Sequence, residues 1–301
     1  MLPSDVFFFR FALPANGVTL NPLMNNLLNQ LIQFQELTFA KEEQKASGTK
    51  MPLAQLEKAI TELRAKLPVE VAERYDRLQQ RYPLAVVPLT HGSCSRCGLA
   101  VPAQVVNAAK AGDSLQNCPH CGRYLYFPAT VARQPKRKID HDKPLPAGIA
   151  RFSSPSLMVP RLAGTTPVEV IGELTKLLGD GGFIEEPATM SDHALRREAI
   201  VSTAVEHGLA FPHVRDVEGG GLTFALGLKP KGLEFGAPGD HLSKIFFFIV
   251  IPTPATAFYL RLLAGLVRTF DSAEARNALL DCEKPDQMWK TLIKLTRETI
   301  P

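Results

Sequence analysis

Apolar residues recur every three or four positions through the first part of the chain, which predicts helices there. Asn21 followed by Pro22 is typical of a helix start, because asparagine caps the first turn and proline needs no hydrogen-bond partner at that point. Leu53, Leu56, Ile60, Leu63 and Leu67 then form a seam with alternating spacings of three and four. The pattern predicts an antiparallel helical hairpin over residues 1–90. Its seam is buried either within one chain or between the two chains of a homodimer.

Strands and helices alternate through the last third of the chain. Thr166, Pro167 and Glu169 form a capping box at the start of one predicted helix. Residues 245–251 are continuously apolar, which is typical of a central strand that is covered on both faces. A strand over 222–228 and helices over 258–270, 272–280 and 285–295 complete the pattern. We therefore predict an α/β domain over residues 150–301, with helices flanking a mixed sheet.

The composition is that of an ordinary globular protein. The chain has 301 residues, 45% of them hydrophobic and 21% charged, which corresponds to about two domains. A net charge of +4 is too small to indicate nucleic-acid binding by itself. The apolar segment 6–13 is interrupted by Arg10 and lacks the marks of a signal peptide. No apolar run reaches the roughly 20 residues that a membrane helix needs, so we expect a cytoplasmic protein.

Four of the five cysteines form two Cys-x-x-Cys pairs separated by twenty residues: Cys94, Cys97, Cys118 and Cys121. A glycine follows each pair and lets the backbone curl under a metal ion. Two such turns make a tetrahedral site for a structural Zn²⁺ ion, with no coordination position open for catalysis. A redox dithiol and ligation by His120 are the less favoured alternatives. We expect the fifth cysteine, Cys282, to be a packed free thiol.

The segment around these cysteines resembles the C4-type zinc-ribbon domain that follows a helical coiled coil in a family of bacterial proteins. Among the matching residues are Gly92-Ser93-Cys94, Pro102-Ala103-Gln104 and Gly122-Arg123-Tyr124. We assign the ribbon to residues 91–128, and the resemblance implies an interaction or nucleic-acid-associated module. The linker at 129–149 is rich in proline and charge. It is either a semi-rigid spacer or a basic strip that contacts phosphates of nucleic acid.

A second specific chemical signature runs from Arg197 to His213. Gly208 permits a tight backbone turn before a short apolar strand at 209–211. Pro212 favours extended backbone in the residue before it and ends that strand. The sequence thus predicts that His213 lies on a stiff junction between a strand and a loop, which is a suitable place for a reactive group.

This run resembles the active-site signature of the type-2 enzyme IIA domains of the bacterial sugar phosphotransferase system. That family includes the fructose and mannitol IIA domains and the nitrogen-type IIA regulator. The matching residues are Arg197, Glu198, Ser202, Thr203, Gly208, Ala210, Pro212 and His213. The resemblance implies that His213, neutral and accessible, accepts a phosphoryl group from the phosphocarrier protein HPr. It also implies the α/β fold predicted above.

The chemistry of phosphoryl transfer assigns roles to the neighbouring residues. The guanidinium of Arg197 can hold two phosphate oxygens, and Arg215 is an alternative clamp. Ser202 and Thr203 are candidates to bond the phosphoryl group or to orient the imidazole. We expect Glu198 to hold Arg197 in place.

One residue departs from the family pattern. Tyr259 stands where the family has a second histidine. A phenol donates one neutral hydrogen bond, and charge-assisted bonds are about twice as strong as neutral ones. The sequence therefore predicts slower phosphoryl transfer than in a domain with both histidines.

These features favour a phosphohistidine transfer protein with a regulatory role over an enzyme that turns over a small substrate. The helical and ribbon region then supplies the contact with a protein partner that the sequence does not identify. Two other interpretations stay open. Tyr259 is compatible with a catalytically silent adaptor that keeps the IIA fold for binding only. The four cysteines and the basic linker are compatible with a zinc-dependent nucleic-acid-binding protein.

Overall fold

The computed structural model describes residues 22–47, 53–112, 114–128, 132–135, 146–237 and 241–301. The described residues begin with three helices: α1 (Pro22–Ser47), α2 (Leu53–Lys66) and α3 (Val69–Arg81). The described part of α1 begins at Pro22, and the proposed cap Asn21 lies outside the described residues. So do the apolar segment 6–13 and the basic residues of the linker at 136–138.

The three helices pack against one another within one chain. Phe34 of α1 lies with its ring centroid 4.7 Å from that of Tyr75 in α3, and both side chains are buried. Leu56 and Leu63 of α2 are buried in the same cluster. The apolar seam is therefore buried within one chain, which is the first of the two predicted arrangements. Helix α1 also contacts the C-terminal domain, and the sequence pattern did not predict this contact.

The zinc-ribbon segment contains a small sheet with the strand order β2-β1-β4-β3. Its elements are β1 (Val86–Thr90), β2 (Ser93–Cys94), α4 (Ala103–Ala111), β3 (Gln116–Asn117) and β4 (Tyr124–Tyr126). Gln35 joins α1 to this sheet through three buried hydrogen bonds. Its Nε2 donates to the Val86 carbonyl, and its Oε1 accepts from the amides of Ala85 and Val86, each at 2.8 Å. Helix α1 is thus anchored to the ribbon as well as to α2 and α3.

The C-terminal domain is a mixed sheet flanked by helices, as the alternating pattern predicted. Its strands are β5 (Met158–Val159), β6 (Ala204–Val205), β7 (Leu209–Ala210), β8 (His213–Val217), β9 (Thr223–Leu233) and β10 (Ser243–Pro252). Its helices are α5 (Pro167–Asp180), α6 (Pro187–Glu198), α7 (Thr256–Phe270), α8 (Ala273–Leu280) and α9 (Pro285–Thr296). Strand β10 pairs antiparallel with β9 on one edge and parallel with β7 and then β8 on the other. Thr166 caps α5 by accepting a hydrogen bond from the amide of Glu169.

The described part of the linker is attached to the C-terminal domain. The amide of Gln134 donates to the Glu218 carbonyl at 2.8 Å, and the amide of Glu218 donates to the Ala132 carbonyl at 2.9 Å. Because this pairing buries Ala132 and Gln134, residues 132–135 differ from the solvated spacer that the sequence favoured. Among the described residues, no helix combines the length and the apolar character that a membrane span requires.

Candidate functional site

His213 lies at the junction of two strands that share the same edge of β10. Gly208 adopts the left-handed conformation, with φ +75°, and starts the turn before β7 as predicted. The carbonyl of Pro212 accepts a hydrogen bond from the amide of Ile249 at 2.9 Å, so the chain stays on the sheet edge. His213 then opens β8, opposite Ile249. The predicted strand-to-loop junction is therefore corrected to a strand-to-strand junction.

The imidazole of His213 is oriented for reaction at Nε2. Its Nδ1 lies 3.0 Å from the Phe211 carbonyl oxygen, which can only accept, so we place the ring proton on Nδ1. Burial lowers the pKa of His213 to about 4, against the opposing effect of Glu43, so the ring is neutral at pH 7. His213 lines a cavity of about 40 Å³, and its Nε2, which carries the lone pair of the ring, has no hydrogen-bond partner among the described residues.

The site is nevertheless closed to solvent. Only 1% of the His213 side chain is exposed, because α1 lies over it. Glu43 of α1 places Oε1 3.2 Å from the histidine Nε2, an ion-pair distance without hydrogen-bond geometry. The expectation of an accessible ring was wrong, because the packing of an N-terminal helix over the C-terminal domain was not predicted.

Two donors of the C-terminal domain converge on the carboxylate of Glu43. Arg197 Nη2 donates to Oε2 at 3.0 Å, and the Tyr259 hydroxyl donates to Oε1 at 2.8 Å. Burial alone would raise the pKa of Glu43. The positive charges of His213, where it is protonated at low pH, and of Arg197 and Arg215 hold that pKa below its ordinary value. Glu43 is therefore ionised, and its two oxygens occupy the space between the predicted clamp and the predicted nucleophile.

A second carboxylate of α1 pairs with both arginines of the site. Glu36 Oε2 lies 3.2 Å from Arg197 Nε and also accepts a hydrogen bond from Arg215 Nη2. The guanidinium of Arg215 lies 4.0 Å above the centre of the Phe39 ring, which belongs to the same face of α1. Arg215 thus lies close to the site, as the alternative assignment of the clamp anticipated.

Ser202, Thr203 and Glu198 shape the loop beside the cavity. Ser202 Oγ donates to the Phe235 carbonyl at 2.6 Å, and Thr203 Oγ1 donates to Glu198 Oε2 at 2.6 Å. Glu198 also accepts from the Thr203 amide at 2.7 Å. The expected role of Glu198 as the support of Arg197 was therefore wrong: its carboxylate fixes the Thr203 loop, while Arg197 pairs with the carboxylates of α1. Ser202 and Thr203 still line the cavity.

Sequence reasoning missed Glu36 and Glu43. A signal was present, because the two acids stand seven positions apart and share one helix face with apolar Phe39 and Ala40. An ionisable residue on an otherwise buried face usually has a charged partner. The pattern could therefore have indicated that this face of α1 meets basic side chains.

The four cysteine sulfurs of the ribbon lie within 4.8 Å of one another. The Sγ atoms of Cys94 and Cys121 are 3.8 Å apart, and those of Cys97 and Cys118 are 3.7 Å apart. A tetrahedron with Zn–S bonds of about 2.3 Å has edges of about 3.8 Å, so the residues fit a structural zinc ion. His120 is exposed, with Nε2 3.1 Å from the Ala100 carbonyl oxygen. The predicted four-thiolate site therefore agrees with the structure.

Contacts between the ribbon and the C-terminal domain lie close to His213 in the sequence of β8. Arg96, inside the first Cys-x-x-Cys turn, bonds to Asp216 of β8 and to the Thr253 carbonyl. Asp216 follows His213 by three residues on the same strand. His91 contacts Glu218 at 2.9 Å. The zinc ribbon is thus attached to the strand that carries the candidate nucleophile. Cys282 is buried away from these contacts as a free thiol, as expected.

Comparison with known proteins identifies both regions. Residues 154–295 match the family model of the phosphoenolpyruvate-dependent sugar phosphotransferase system, EIIA 2, and residues 93–125 match the C4-type zinc ribbon domain. The fructose-specific EIIA component of Haloferax volcanii is 26% identical over 122 residues, which cover 40% of this chain and 79% of that protein. The fructose-specific EIIABC component of Bacillus subtilis is 25% identical over 117 residues, which span 39% of this chain and 18% of that protein.

Similar solved structures also belong to the IIA group. The nitrogen regulatory protein IIA-Ntr from Neisseria meningitidis covers 47% of this chain and 96% of its own, with 22% identity and a TM-score of 0.43. The mannitol IIA of Escherichia coli covers 46% of this chain and 97% of its own, with 20% identity and a TM-score of 0.40. The family matches, together with the Arg197–His213 geometry and the sulfur cluster, lead to one assignment. The chain carries a C-terminal domain of the type-2 EIIA family of the sugar phosphotransferase system, preceded by a C4-type zinc ribbon.

Proposed function

We propose that this chain is a regulatory phosphotransfer protein that accepts a phosphoryl group on His213 from a phosphorylated HPr-type carrier. The observation that carries the proposal is the arrangement around Nε2. A neutral imidazole lines the cavity, its Nε2 without a hydrogen bond to the described residues, beside donors from Arg197 and Tyr259 that already hold an oxyanion. Positioned donors of this kind are what phosphoryl transfer requires of a protein.

The transfer step uses His213, Arg197 and Tyr259 once the Glu43 carboxylate has left the site. The Nε2 lone pair of His213 attacks the phosphorus atom, and a P–N bond forms. The bond from phosphorus to the donor breaks, and its electron pair leaves with the donor. The Nδ1 proton stays in its bond to the Phe211 carbonyl, which holds the ring in the reactive tautomer. Arg197 and Tyr259 take the phosphoryl oxygens in the positions where they now hold the Glu43 carboxylate.

The protein partner that receives the signal is of unknown identity, and the ribbon and helices α1–α3 supply the surface for it. The relatives from H. volcanii and B. subtilis are named as fructose-specific components, and E. coli mannitol IIA has also been solved in complex with a phosphorylated IIB domain. This chain adds a zinc ribbon and a helical region to its EIIA domain. These additions favour regulation of a protein partner over direct participation in sugar uptake.

The test is labelling of the full zinc-loaded chain with phosphoenolpyruvate, enzyme I and HPr. We expect a label that is stable to alkali and labile to acid in the wild type and in His241→Ala, which removes an exposed histidine. Label is lost in His213→Ala. Labelling of His213→Ala at the wild-type level would place the phosphoryl group elsewhere and overturn the proposal.

A catalytically silent adaptor is the second candidate, and the burial of His213 under α1 favours it. This candidate predicts no label on His213 even after the contacts of α1 with the site are weakened. The variants described below therefore distinguish the two functions.

A further inference from the structure

We propose that α1 is an internal occupant of the phosphoryl site, and that His213 is phosphorylated only when this helix leaves. This inference rests on the proposed function, because it concerns the regulation of the same site. Glu43 holds the position of the phosphoryl oxygens, and Glu36 neutralises the remaining guanidinium. The chain thus carries its own competitor for the phosphodonor.

The first support is the chemical match between the docked carboxylates and an incoming phosphoryl group. Carboxylate and phosphate oxygens are alternative ligands of the same guanidinium donors. Glu43 accepts from Arg197 Nη2 and from the Tyr259 hydroxyl, and Glu36 pairs with Arg197 Nε. Both donors assigned to the phosphoryl group are therefore already engaged.

The second support is steric. Between the two acids, Phe39 stacks on Tyr259 with ring centroids 6.5 Å apart and lies beneath the guanidinium of Arg215. Phosphoryl transfer needs the phosphorus within about 3–3.5 Å of the attacking atom before reaction. Glu43 Oε1 already stands 3.2 Å from His213 Nε2. The docked helix and the phosphodonor cannot occupy the site together.

The third support is that the contacts of docked α1 allow its carboxylates to be replaced by a phosphoryl group. The neutral ring of His213 donates its only proton to the Phe211 carbonyl and therefore contributes no N–H to Glu43. Buried ion pairs recover little more than the cost of removing their charges from water. The opposite face of α1 is held differently, by Gln35 on the ribbon and by Phe34 and Thr38 on Tyr75. The helix can therefore leave the EIIA domain without losing its attachment to the N-terminal region.

The experiment compares the full-length, zinc-loaded wild type with the Glu36→Gln/Glu43→Gln double variant. Glu42→Gln is the matched control, because Glu42 lies on the same helix, is exposed, and pairs with Lys45 rather than with the EIIA domain among the described residues. Two rates are measured: phosphorylation of His213 by phospho-HPr, and carbethoxylation of His213 by diethyl pyrocarbonate, followed by mass spectrometry. The double variant removes both carboxylates that pair with Arg197 and Arg215, so docked α1 no longer neutralises these two arginines. We therefore expect both rates to rise about tenfold or more, as they would if the fraction of molecules with an open site rose tenfold. Glu42→Gln should match the wild type.

Each outcome separates the two proposals. Equal phosphorylation rates in the wild type and the double variant, with measurable label in both, overturn the gating by α1 and leave the proposed function intact. Faster carbethoxylation without label in any variant overturns the proposed function and supports closure by α1. If the double variant does not fold, Phe39→Ala weakens the same docking by removing the apolar contact with Tyr259. It should accelerate both reactions, and unchanged carbethoxylation in that variant overturns the gating.

Discussion

Replacement of Gln35 by alanine should release α1 from the zinc ribbon. The side chain makes three buried hydrogen bonds, one to the Val86 carbonyl and two from the amides of Ala85 and Val86. Each such bond contributes about 1 kcal/mol net, so the substitution removes about 3 kcal/mol from the attachment. Since every 1.4 kcal/mol is a factor of ten, the population of molecules with α1 detached from the ribbon should rise about a hundredfold.

Hydrogen–deuterium exchange by mass spectrometry measures this release directly. Peptides from α1 and β1 should exchange faster in Gln35→Ala, while peptides from β9 and β10 should keep their wild-type protection. Gln80→Ala, on the exposed side of α3, is the matched control and should leave exchange unchanged. Suppose instead that protection falls equally in α1 and in β10. Helix, ribbon and EIIA domain would then unfold as one unit, and the reasoning about a separable helix would be refuted.

Three further predictions follow from the site. Removing zinc by chelation, or by Cys97→Ser, should unfold the ribbon and raise the rate of His213 carbethoxylation. The control variant Cys282→Ser should leave that rate unchanged. An unchanged rate in the zinc-free protein would contradict the attachment of α1 through the ribbon. Between pH 6.5 and 4 the free energy of unfolding should fall as pH falls. In this range the histidine binds a proton in the unfolded chain, whereas the buried ring of His213, with its pKa lowered to about 4, stays neutral in the folded protein. In urea unfolding, His213→Gln should reduce this slope by up to about 1.4 kcal/mol per pH unit, and an identical slope would contradict the lowered pKa. Tyr259→His should raise the phosphorylation rate in the Glu36→Gln/Glu43→Gln background, since an imidazolium supplies a charged donor, and an unchanged or lower rate would count against that role.

The features that the sequence predicted correctly depend on local order. The zinc site follows from four cysteines at fixed spacing, and the turn at Gly208 follows from a glycine that tolerates positive φ. The mixed sheet was predicted from the alternation of apolar strands with amphipathic helices. In each case the physical cause lies within a few residues of the pattern, or within a motif whose spacing encodes the geometry.

The closed site could not be predicted in this way, because its cause is packing between distant segments. Glu43 and Arg197 are 154 positions apart, and nothing local to either residue selects the other. The apolar periodicity of the first part of the chain was assigned to a helical hairpin, and Leu31 and Phe34 of α1 are buried in the N-terminal cluster on that face. A second face of the same helix, with Glu36, Phe39 and Glu43, packs on the EIIA domain. The periodicity of one stripe does not show that a helix is buried on two sides.

The balance of charge shows what phosphorylation would do to this arrangement. In the closed site Arg197 and Arg215 face Glu36 and Glu43, so two positive charges meet two negative ones. A phosphoryl group brings about −1.5 to −2 charges at pH 7 and therefore replaces both carboxylates with little change in net charge. If the helix stayed docked beside phosphorylated His213, nearly four negative charges would face two arginines in a site that excludes water. Phosphorylation and docking of α1 are therefore mutually exclusive under the proposed exchange. The released face of α1, with its two acids and Phe39, would be presented to a partner only while the phosphoryl group remains on His213.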